Sequence, residues 1–545
     1  MARLRIDFDP ARTAAYRAAG FWDDQVLRDW LVRNAGARGA HVALRAGETV
    51  VTHAQLRDAV ARTANALARL GIAKGDVVAV QLPNGVPFVV AYLAIACVGA
   101  VMQTVHLAYR GADTAALLAH SGAVAVICTA DGGAACPAQA FLAMRGSAAA
   151  LREVVVAAGP APAGARDLAA LAAREGVDLP AVDLAGSDAF LLLYTSGTTA
   201  SPKGVPHAYQ DFLANARLSA EALAVTPEDI LLCAAPFTHL YGLFTVNMAL
   251  AVGAATVLLP AFSPPAFVEA IRQARPTIAF TAPAHIAACM QARLFDGVDL
   301  GCLKYVQMSG SAVPADLARA LEPLLGGGKV MQLWGMTELQ AGAYTRLDDP
   351  APVRMESTGR ASPGTELRVV DAAGRALAPG AEGELQMRGP SLFSGYLDNP
   401  EATRDAFDAD RWFRTGDTAT IDADGNVRLT GRVKDVINRG GVKFNPLEIE
   451  TLMLRHPAVA EAAVAALPDP VLGERACCFV VLRPGARLAL ADVQQHLAAH
   501  GVSRFKWPER LEAVAAMPVT PTRKVIKGRL VSDWLARNPT RENPS

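Results

Sequence analysis

Between about residues 50 and 330, short apolar runs alternate with Ala/Leu-rich stretches long enough to be helices. The runs include VVAVQL (77–82), AVAVIC (123–128), ILLCAAP (230–236), TIAFTAP (277–283) and YVQMSG (305–310). Runs this apolar suit strands covered on both faces. A chain that repeats strand and helix in this way closes its core as mostly parallel sheets sheathed by helices. After Pro350 the texture changes: 366–371, 383–387 and 425–429 read as short strands, separated by DAAG and DADG turns. Beyond Gly431 come a helix and then further strands and helices. With 545 residues, the expectation is an α/β chain of more than one domain. A large N-terminal domain of mostly parallel sheets with helices would carry a small β-rich subdomain, and a small α+β domain of about a hundred residues would follow. The Ala/Gly-rich segment 130–186 predicts a helix with loose surface loops rather than a domain.

Composition narrows the function classes. Fifty-two basic residues balance 52 acidic ones, so no basic footprint points to nucleic acid. Eight cysteines are scattered without a CxxC pair, and the adjacent Cys477 and Cys478 sit in an apolar run that suits a buried strand. That usage predicts a reducing, cytoplasmic setting. The opening MARLRIDFDPARTAAYRAAG lacks the apolar core of a signal peptide. Two stretches, 86–105 and 240–259, match a membrane span in length. Pro87 and Gly99 interrupt the first, and Gly242, Asn247 and Gly253 the second, so both are expected to be buried helix–strand units.

The strongest chemical signal is LLLYTSGTTASPKGVPH at 191–207. A buried strand ending near Leu193 runs into a loop carrying Thr195, Ser196, Gly197, Thr198, Thr199, Ser201 and Lys203. Hydroxyls, glycine backbone N–H groups and one ammonium are what the oxygens of a polyphosphate require. A P-loop also places Lys six residues after its first Gly, but it needs Gly before the Lys and Ser/Thr after it. Here Pro202 and Gly204 flank Lys203, so that motif is excluded. The bland alternative is a Ser/Thr-rich surface loop.

The stretch resembles the phosphate loop of the adenylate-forming (AMP-binding) superfamily, the acyl-CoA synthetase and aryl-acid ligase branch, whose pattern reads roughly YTSGTTGxPKGV. Ala200 stands where that family has Gly. Further motifs follow in the family's order, strongly over 191–530 and more weakly over 23–128. MQLWGMTELQ (331–340) reads as a strand end, a turn and then a helix, and resembles the segment QxYGxTE. By that resemblance Trp334 would stack on adenine, Thr337 would donate to the α-phosphate, and Glu338 would hold Mg²⁺ through hard oxygen donors. YVQMSGSAVP (305–314) resembles the strand and turn bordering the adenine and acid pockets; Gly310, Ser311 and Ala312 leave room for the base, and Met308 belongs to the acid pocket. APFTHLYGLF (235–244) resembles the wall of that pocket, with His239, Leu240 and Tyr241 lining it and His239 gating it. Read without the family, a lone His after a strand is more often structural.

RWFRTGDTATIDADGNVRLTGRVKD (411–435) resembles a further motif, in which Asp417 would accept both ribose hydroxyls and Arg432 would reach ribose and phosphate. The resemblance implies a hinge at 432–434, centred on Lys434, between domains at 1–431 and 435–545. The C-terminal domain would be mobile, swinging between adenylate-forming and thioester-forming orientations. GGVKFNP (440–446) resembles the loop that meets the thiol's pantetheine arm. PVTPTRKVIKGRL (518–530) resembles the final motif, usually PxTxxGKI: Lys524 would neutralise carboxylate and α-phosphate as they meet, while Arg523 replaces the usual Gly. The implied catalytic set is Lys524, Thr337, Glu338 and His239, with ATP, Mg²⁺ and CoA as cofactors and a small carboxylic acid as substrate.

The acid is read from 239–241. In the dihydroxybenzoate branch of the family this reads HNY, and its Asn binds the ring hydroxyl. Leu240 cannot, so an apolar medium-chain, cyclic or plain aromatic acid is expected. The alternative is an aryl-acid AMP ligase that loads the phosphopantetheine of a carrier protein, as in siderophore-type biosynthesis. A non-catalytic nucleotide-binding relative and a luciferase-type oxygenase are the remaining rivals; Ala200 and Arg523 alone suggest the former, and nothing suggests the latter.

Overall fold

A computed structural model describes residues 4–130, 136–146, 148, 150–195, 202–520 and 524–538. These divide into two units. The first comprises described residues up to 366 together with 388–405, and the second comprises 367–387 and 406 onward.

The apolar runs of the first unit form two sheets. In the seven-stranded sheet the spatial order is Arg166–Asp167, Glu153–Ala158, Ala125–Thr129, Val77–Gln81, Val101–Thr104, Ala189–Thr195, Lys203–Ala208. Every neighbouring pair is parallel except the last. In the nine-stranded sheet, Val42–Ala46, Ala255–Leu258, Ile230–Cys233, Ile278–Thr281, Tyr305–Met308 and Lys329–Met336 are parallel neighbours in that order. Antiparallel strands close both edges: Thr49–Thr52 at one, Gln340–Tyr344 and Arg360–Ala361 at the other.

One hydrophobic cluster draws on strands of both sheets and on the helices Val86–Cys97 and Leu240–Val252. Being enclosed on all sides, these helices need no polar face, which accounts for their span-like composition. Their polar groups find partners: Tyr92 Oη and the Asn247 amide are hydrogen-bonded at 3.0–3.1 Å inside the core, and Thr245 Oγ1 donates to Tyr241 O at 3.0 Å. Among the described residues no helix is long and apolar enough to cross a membrane.

The segment 130–186 departs from expectation. It contributes the strand Glu153–Ala158, parallel to Ala125–Thr129, with Val154, Val155 and Val156 all buried. The average Ala/Gly content of the segment hides three consecutive β-branched residues, which are enough to seat a strand on a sheet already nucleated next to it.

In the second unit a four-stranded sheet runs Glu366–Val370, Gly383–Arg388, Phe413–Ile421, Val427–Arg432. A five-stranded sheet is built on the long antiparallel pair Val459–Asp469 and Gly473–Leu482. Side chains alternate across a strand. Accordingly Cys477 packs with Phe479, Leu530 and Trp534 on one face, and Cys478 with Val480, Ile449 and Leu497 on the other. The adjacent thiols therefore point to opposite faces of the strand.

Candidate active site

The strand Ala189–Thr195 and the strand Lys203–Ala208 are the two arms of the Ser/Thr-rich loop. They pair antiparallel, and Thr195 lies opposite Lys203. Ser196, Gly197, Thr198 and Thr199 lie outside the described residues. The Lys203 ammonium sits 4.7 Å from the ring centroid of Tyr396, a cation–π contact. The Tyr396 hydroxyl donates to Glu338 Oε1 at 2.9 Å. A cation, an aromatic ring and a carboxylate thus stand in a row at the base of the loop. Burial and the Glu338 carboxylate both push the Tyr396 hydroxyl far above the usual phenol range, so it remains a donor at neutral pH. Gly204 allows this approach: a Cβ there would lie 3.1 Å from Leu397 Cβ, and Leu397 N–H donates to Gly204 O at 2.9 Å. Sequence reasoning missed Tyr396. Its only local signal is a Gly-Tyr pair ahead of the short helix Pro400–Ala406.

The segment after Thr337 and Glu338 is a hairpin rather than the expected helix. Lys329–Met336 turns at 337–339 and returns as the antiparallel strand Gln340–Tyr344. Two features decide this. Gln340 adopts a left-handed φ of 63°, which a continuing helix cannot accept, and the small residues Ala341 and Ala343 pair with Gly335 and Trp334 of the preceding strand. Trp334 lies across from Ala343 and is 4% exposed; a Cβ at Gly342 would meet its ring at 2.5 Å. The turn is held at each residue. Thr337 O accepts from His207 Nε2 at 2.8 Å, Glu338 O from Phe393 N–H at 2.9 Å, and Leu339 O from Ser391 Oγ at 3.0 Å. Glu338 supplies hard carboxylate oxygens, and no group of three or more His, Cys, Asp or Glu forms a metal cage among the described residues. One carboxylate with the rest of the shell drawn from phosphate and water is the donor set that suits Mg²⁺.

The residues at 239–241 open the helix Leu240–Val252. His239 is its N-cap, and its Nδ1 accepts from Tyr241 N–H at 3.2 Å. The structural role expected of a lone His is therefore present whatever else it does. Gly242 is forced by close packing, since a Cβ there would meet Pro236 O at 2.4 Å. Leu240 and Tyr241 are buried, with Tyr241 Oη donating to Gln307 O at 2.9 Å. Met308 is wholly enclosed in the neighbouring core cluster. The following residues Gly310, Ser311 and Ala312 are exposed, and Gly310 takes a φ of 91° that frees the turn.

His106, not singled out by the sequence, stands beside His239 with ring centroids 6.4 Å apart, and its Nδ1 is 2.9 Å from Thr238 Oγ1. Burial pulls its pKa down to about 4, so it is neutral at pH 7. The unfolded chain, with His near 6.5, binds the extra proton between the two values. Stability should therefore fall as pH drops through that window, by about 2 kcal/mol from this residue at pH 5. Urea denaturation at pH 7 and pH 5 checks this: His106→Gln should shrink the acid loss by that amount, and an unchanged loss would contradict the assignment.

In the second unit, Asp417 and Arg432 are cross-strand partners, and Arg432 Nε donates to Asp417 Oδ1 at 2.9 Å. A Cβ on the adjacent Gly431 would lie 1.8 Å from Asn445 Oδ1, and Asn445 Nδ2 donates to Thr418 Oγ1 at 2.7 Å. Lys434 lies in the 3₁₀ turn Val433–Asp435, where burial and then the Arg432 cation lower its pKa. Lys524 is exposed; Thr520 N–H donates to Lys524 O at 2.8 Å, and Lys524 N–H to Thr520 Oγ1 at 3.1 Å. Arg523 lies outside the described residues. The structure thus gathers Lys203 and Glu338 within the first unit and Asp417 and Arg432 within the second.

Known proteins carry the same plan. The family model described as AMP-binding enzyme matches residues 31–397, and the AMP-binding enzyme C-terminal domain matches residues 448–524. The medium-chain fatty-acid–CoA ligase of Escherichia coli (strain K12) is 32% identical over 98% of this chain and 95% of its own length. The salicyl-AMP ligase / salicyl-S-ArCP synthetase of Mycobacterium tuberculosis is 34% identical over 96% of this chain and 94% of its own. The anthranilate CoA ligase AuaEII, solved in complex with anthranoyl-AMP, superposes with a TM-score of 0.85 at 27% identity, covering 94% of this chain and 98% of that one. The chain belongs to the AMP-binding enzyme family of the adenylate-forming superfamily, and is an AMP-forming ligase that uses ATP.

Proposed function

We propose that this chain joins an apolar carboxylic acid to CoA in two half-reactions. The acid's carboxylate attacks the α-phosphate of ATP, giving an acyl-adenylate and pyrophosphate, and the CoA thiol then displaces AMP. The observation that carries this reading is the row Lys203–Tyr396–Glu338 at the base of the loop arms. It gathers a cation and a carboxylate on one tyrosine, the two kinds of group that a polyphosphate with its divalent cation requires. In this reading Lys203, Thr195 and the loop hold phosphate oxygens, Thr337 donates to the α-phosphate, Glu338 holds Mg²⁺, and Trp334 and 310–312 border the adenine. Mg²⁺ would supply charge neutralisation between the two reacting anions. Asp417 and Arg432 serve the ribose, and Lys524 the attacking carboxylate. The domains are 1–431 and 435–545, turning at 432–434, with 440–446 meeting the pantetheine arm. A reducing, cytoplasmic setting fits eight scattered cysteines without a CxxC pair.

A pyrophosphate-release screen over a panel of carboxylic acids, run with CoA and with a holo-carrier protein, tests this reading. The largest turnover is expected with an apolar acid and CoA; absence of pyrophosphate release with every acid would refute it. One observation favours a second reading: the salicyl-AMP ligase / salicyl-S-ArCP synthetase is 34% identical, against 32% for the fatty-acid–CoA ligase. Under it the thiol belongs to a carrier protein, and holo-carrier would outrun CoA.

In this reading Leu240 sets the acid specificity. Leu240→Asn sets a buried amide against an apolar acyl group, at about 1–3 kcal/mol if unpaired, so kcat/KM for an apolar acid should fall about ten- to a hundredfold. Steady-state kinetics on an apolar acid and on 2-hydroxybenzoate check it. Wild-type preference for the hydroxybenzoate, or no change on mutation, would remove Leu240 from the pocket.

A further inference from the structure

The helix Tyr209–Ala222 directly follows the strand Lys203–Ala208. His207, Asp211, Asn215 and Ser219 recur at every fourth position, and all four are buried, three of them with no exposure. In the helix that spacing lines up Asp211, Asn215 and Ser219 on one face, and His207, near the end of the preceding strand, extends the row. Each of the four positions meets the hairpin that carries Thr337 and Glu338. His207 Nε2 donates to Thr337 O at 2.8 Å. Asp211 O accepts from Gln340 Nε2 at 2.9 Å. Asn215 both donates to Ala341 O at 3.0 Å and accepts from Ala341 N–H at 3.2 Å, as a strand partner would. Tyr344 Oη donates to Ser219 Oγ at 3.1 Å. Inside the row, the Asp211 carboxyl faces His207 Nδ1 at 3.1 Å and accepts from Ala208 N–H at 3.2 Å.

Burying four polar side chains in this way costs desolvation that an apolar face would avoid. What hydrogen bonds add is register: an apolar contact tolerates sliding, whereas paired donors and acceptors fix one alignment. The register matters at its first rung. Lys203 and His207 are four residues apart on one strand and so share a face. From that face Lys203 reaches Tyr396, which binds the Glu338 side chain, and His207 reaches the Thr337 backbone.

We propose that His207, Asp211, Asn215 and Ser219 form a polar rail that sets Thr337 and Glu338 against the arms of the phosphate loop, making His207 and Asp211 positioning residues for adenylate formation. This rests on the first half-reaction proposed above. Because His207 Nε2 faces a carbonyl, it carries a proton, and the pair can be replaced without charge. In His207→Gln with Asp211→Asn, an amide can still donate to Thr337 O while the two side chains pair with each other. His207→Leu keeps the bulk and removes the donor.

The test combines amide hydrogen exchange over 336–344, calorimetric binding of ATP with Mg²⁺, and the two half-reactions measured separately. In His207→Leu, exchange over 336–344 should quicken at least tenfold, ATP binding with Mg²⁺ should weaken, and adenylate formation should drop about thirtyfold or more. Thioester formation from supplied acyl-adenylate should stay within about twofold. The Gln/Asn double variant should recover most of each loss. Unchanged exchange over 336–344, equal loss in both half-reactions, or a double variant no better than His207→Leu would overturn the rail. A wild-type protein that forms no adenylate would instead overturn the functional reading, and the exchange data would still decide the rail.

Discussion

Lys524→Ala should remove adenylate formation by three or more powers of ten while leaving thioester formation from supplied acyl-adenylate near the wild-type rate. A carboxylate and a phosphate anion repel as the acid approaches the α-phosphate. A cation placed between them is worth about 3–4 kcal/mol or more in a site that excludes water. The hydrogen bonds between Thr520 and the Lys524 backbone are ones that alanine retains, so the loss should be electrostatic rather than conformational. Rapid-quench assays of each half-reaction separate the outcomes: equal loss in both would indicate damage to the second unit, and no loss in the first would assign the charge elsewhere. Lys434→Pro should give the opposite pattern, because a fixed φ in the turn Val433–Asp435 resists rotation there. Adenylate should accumulate and thioester should not; a wild-type thioester rate would place the hinge at another residue.

Glu338→Gln is expected to have the next largest effect. The substitution is isosteric, and the amide oxygen can still accept from the Tyr396 hydroxyl, so the hairpin should keep its shape. What is lost is a formal charge and a hard oxygen donor. The first half-reaction should slow by two to three powers of ten, about 3–4 kcal/mol, and its half-saturating Mg²⁺ concentration should rise. Titrating Mg²⁺ at saturating ATP checks both. A variant with the wild-type rate at limiting Mg²⁺ would show that Glu338 is not the metal's ligand.

The sheets of the first unit were legible because parallel strands buried on both faces write themselves as unbroken apolar runs, and nearly every such run, from 77–82 to 305–310, became a strand. Glu153–Ala158 was not, because its three valines sit in a segment whose average composition says loop. The return strand after Glu338 was hidden for a different reason. Gln340 accepts its left-handed φ only because its buried side chain is held by Asp211 O and Ser391 O, partners 129 and 51 residues away. Candidate site residues surfaced where the chemistry is compressed into short motifs, as in 195–203 and 334–338. Tyr396, His106 and the rail did not. Polar residues every four positions along a helix read as a solvated face, and only packing on both sides turns that face inward. Tyr396 acts on a carboxylate 58 residues away, a relation no local window contains.

The close approach of Asn445 to Gly431 carries a consequence for how this protein can change over generations. Any side chain at 431 must displace the Asn445 amide, which then loses its bond to Thr418. A larger residue at 431 alone should therefore be rejected, and a smaller one at 445 alone leaves a gap and takes from Thr418 Oγ1 one of its two donors, Thr430 Oγ1 being the other. The two positions are free to drift only as a pair, so descendants of this chain should either keep Gly431 with Asn445 or replace both together.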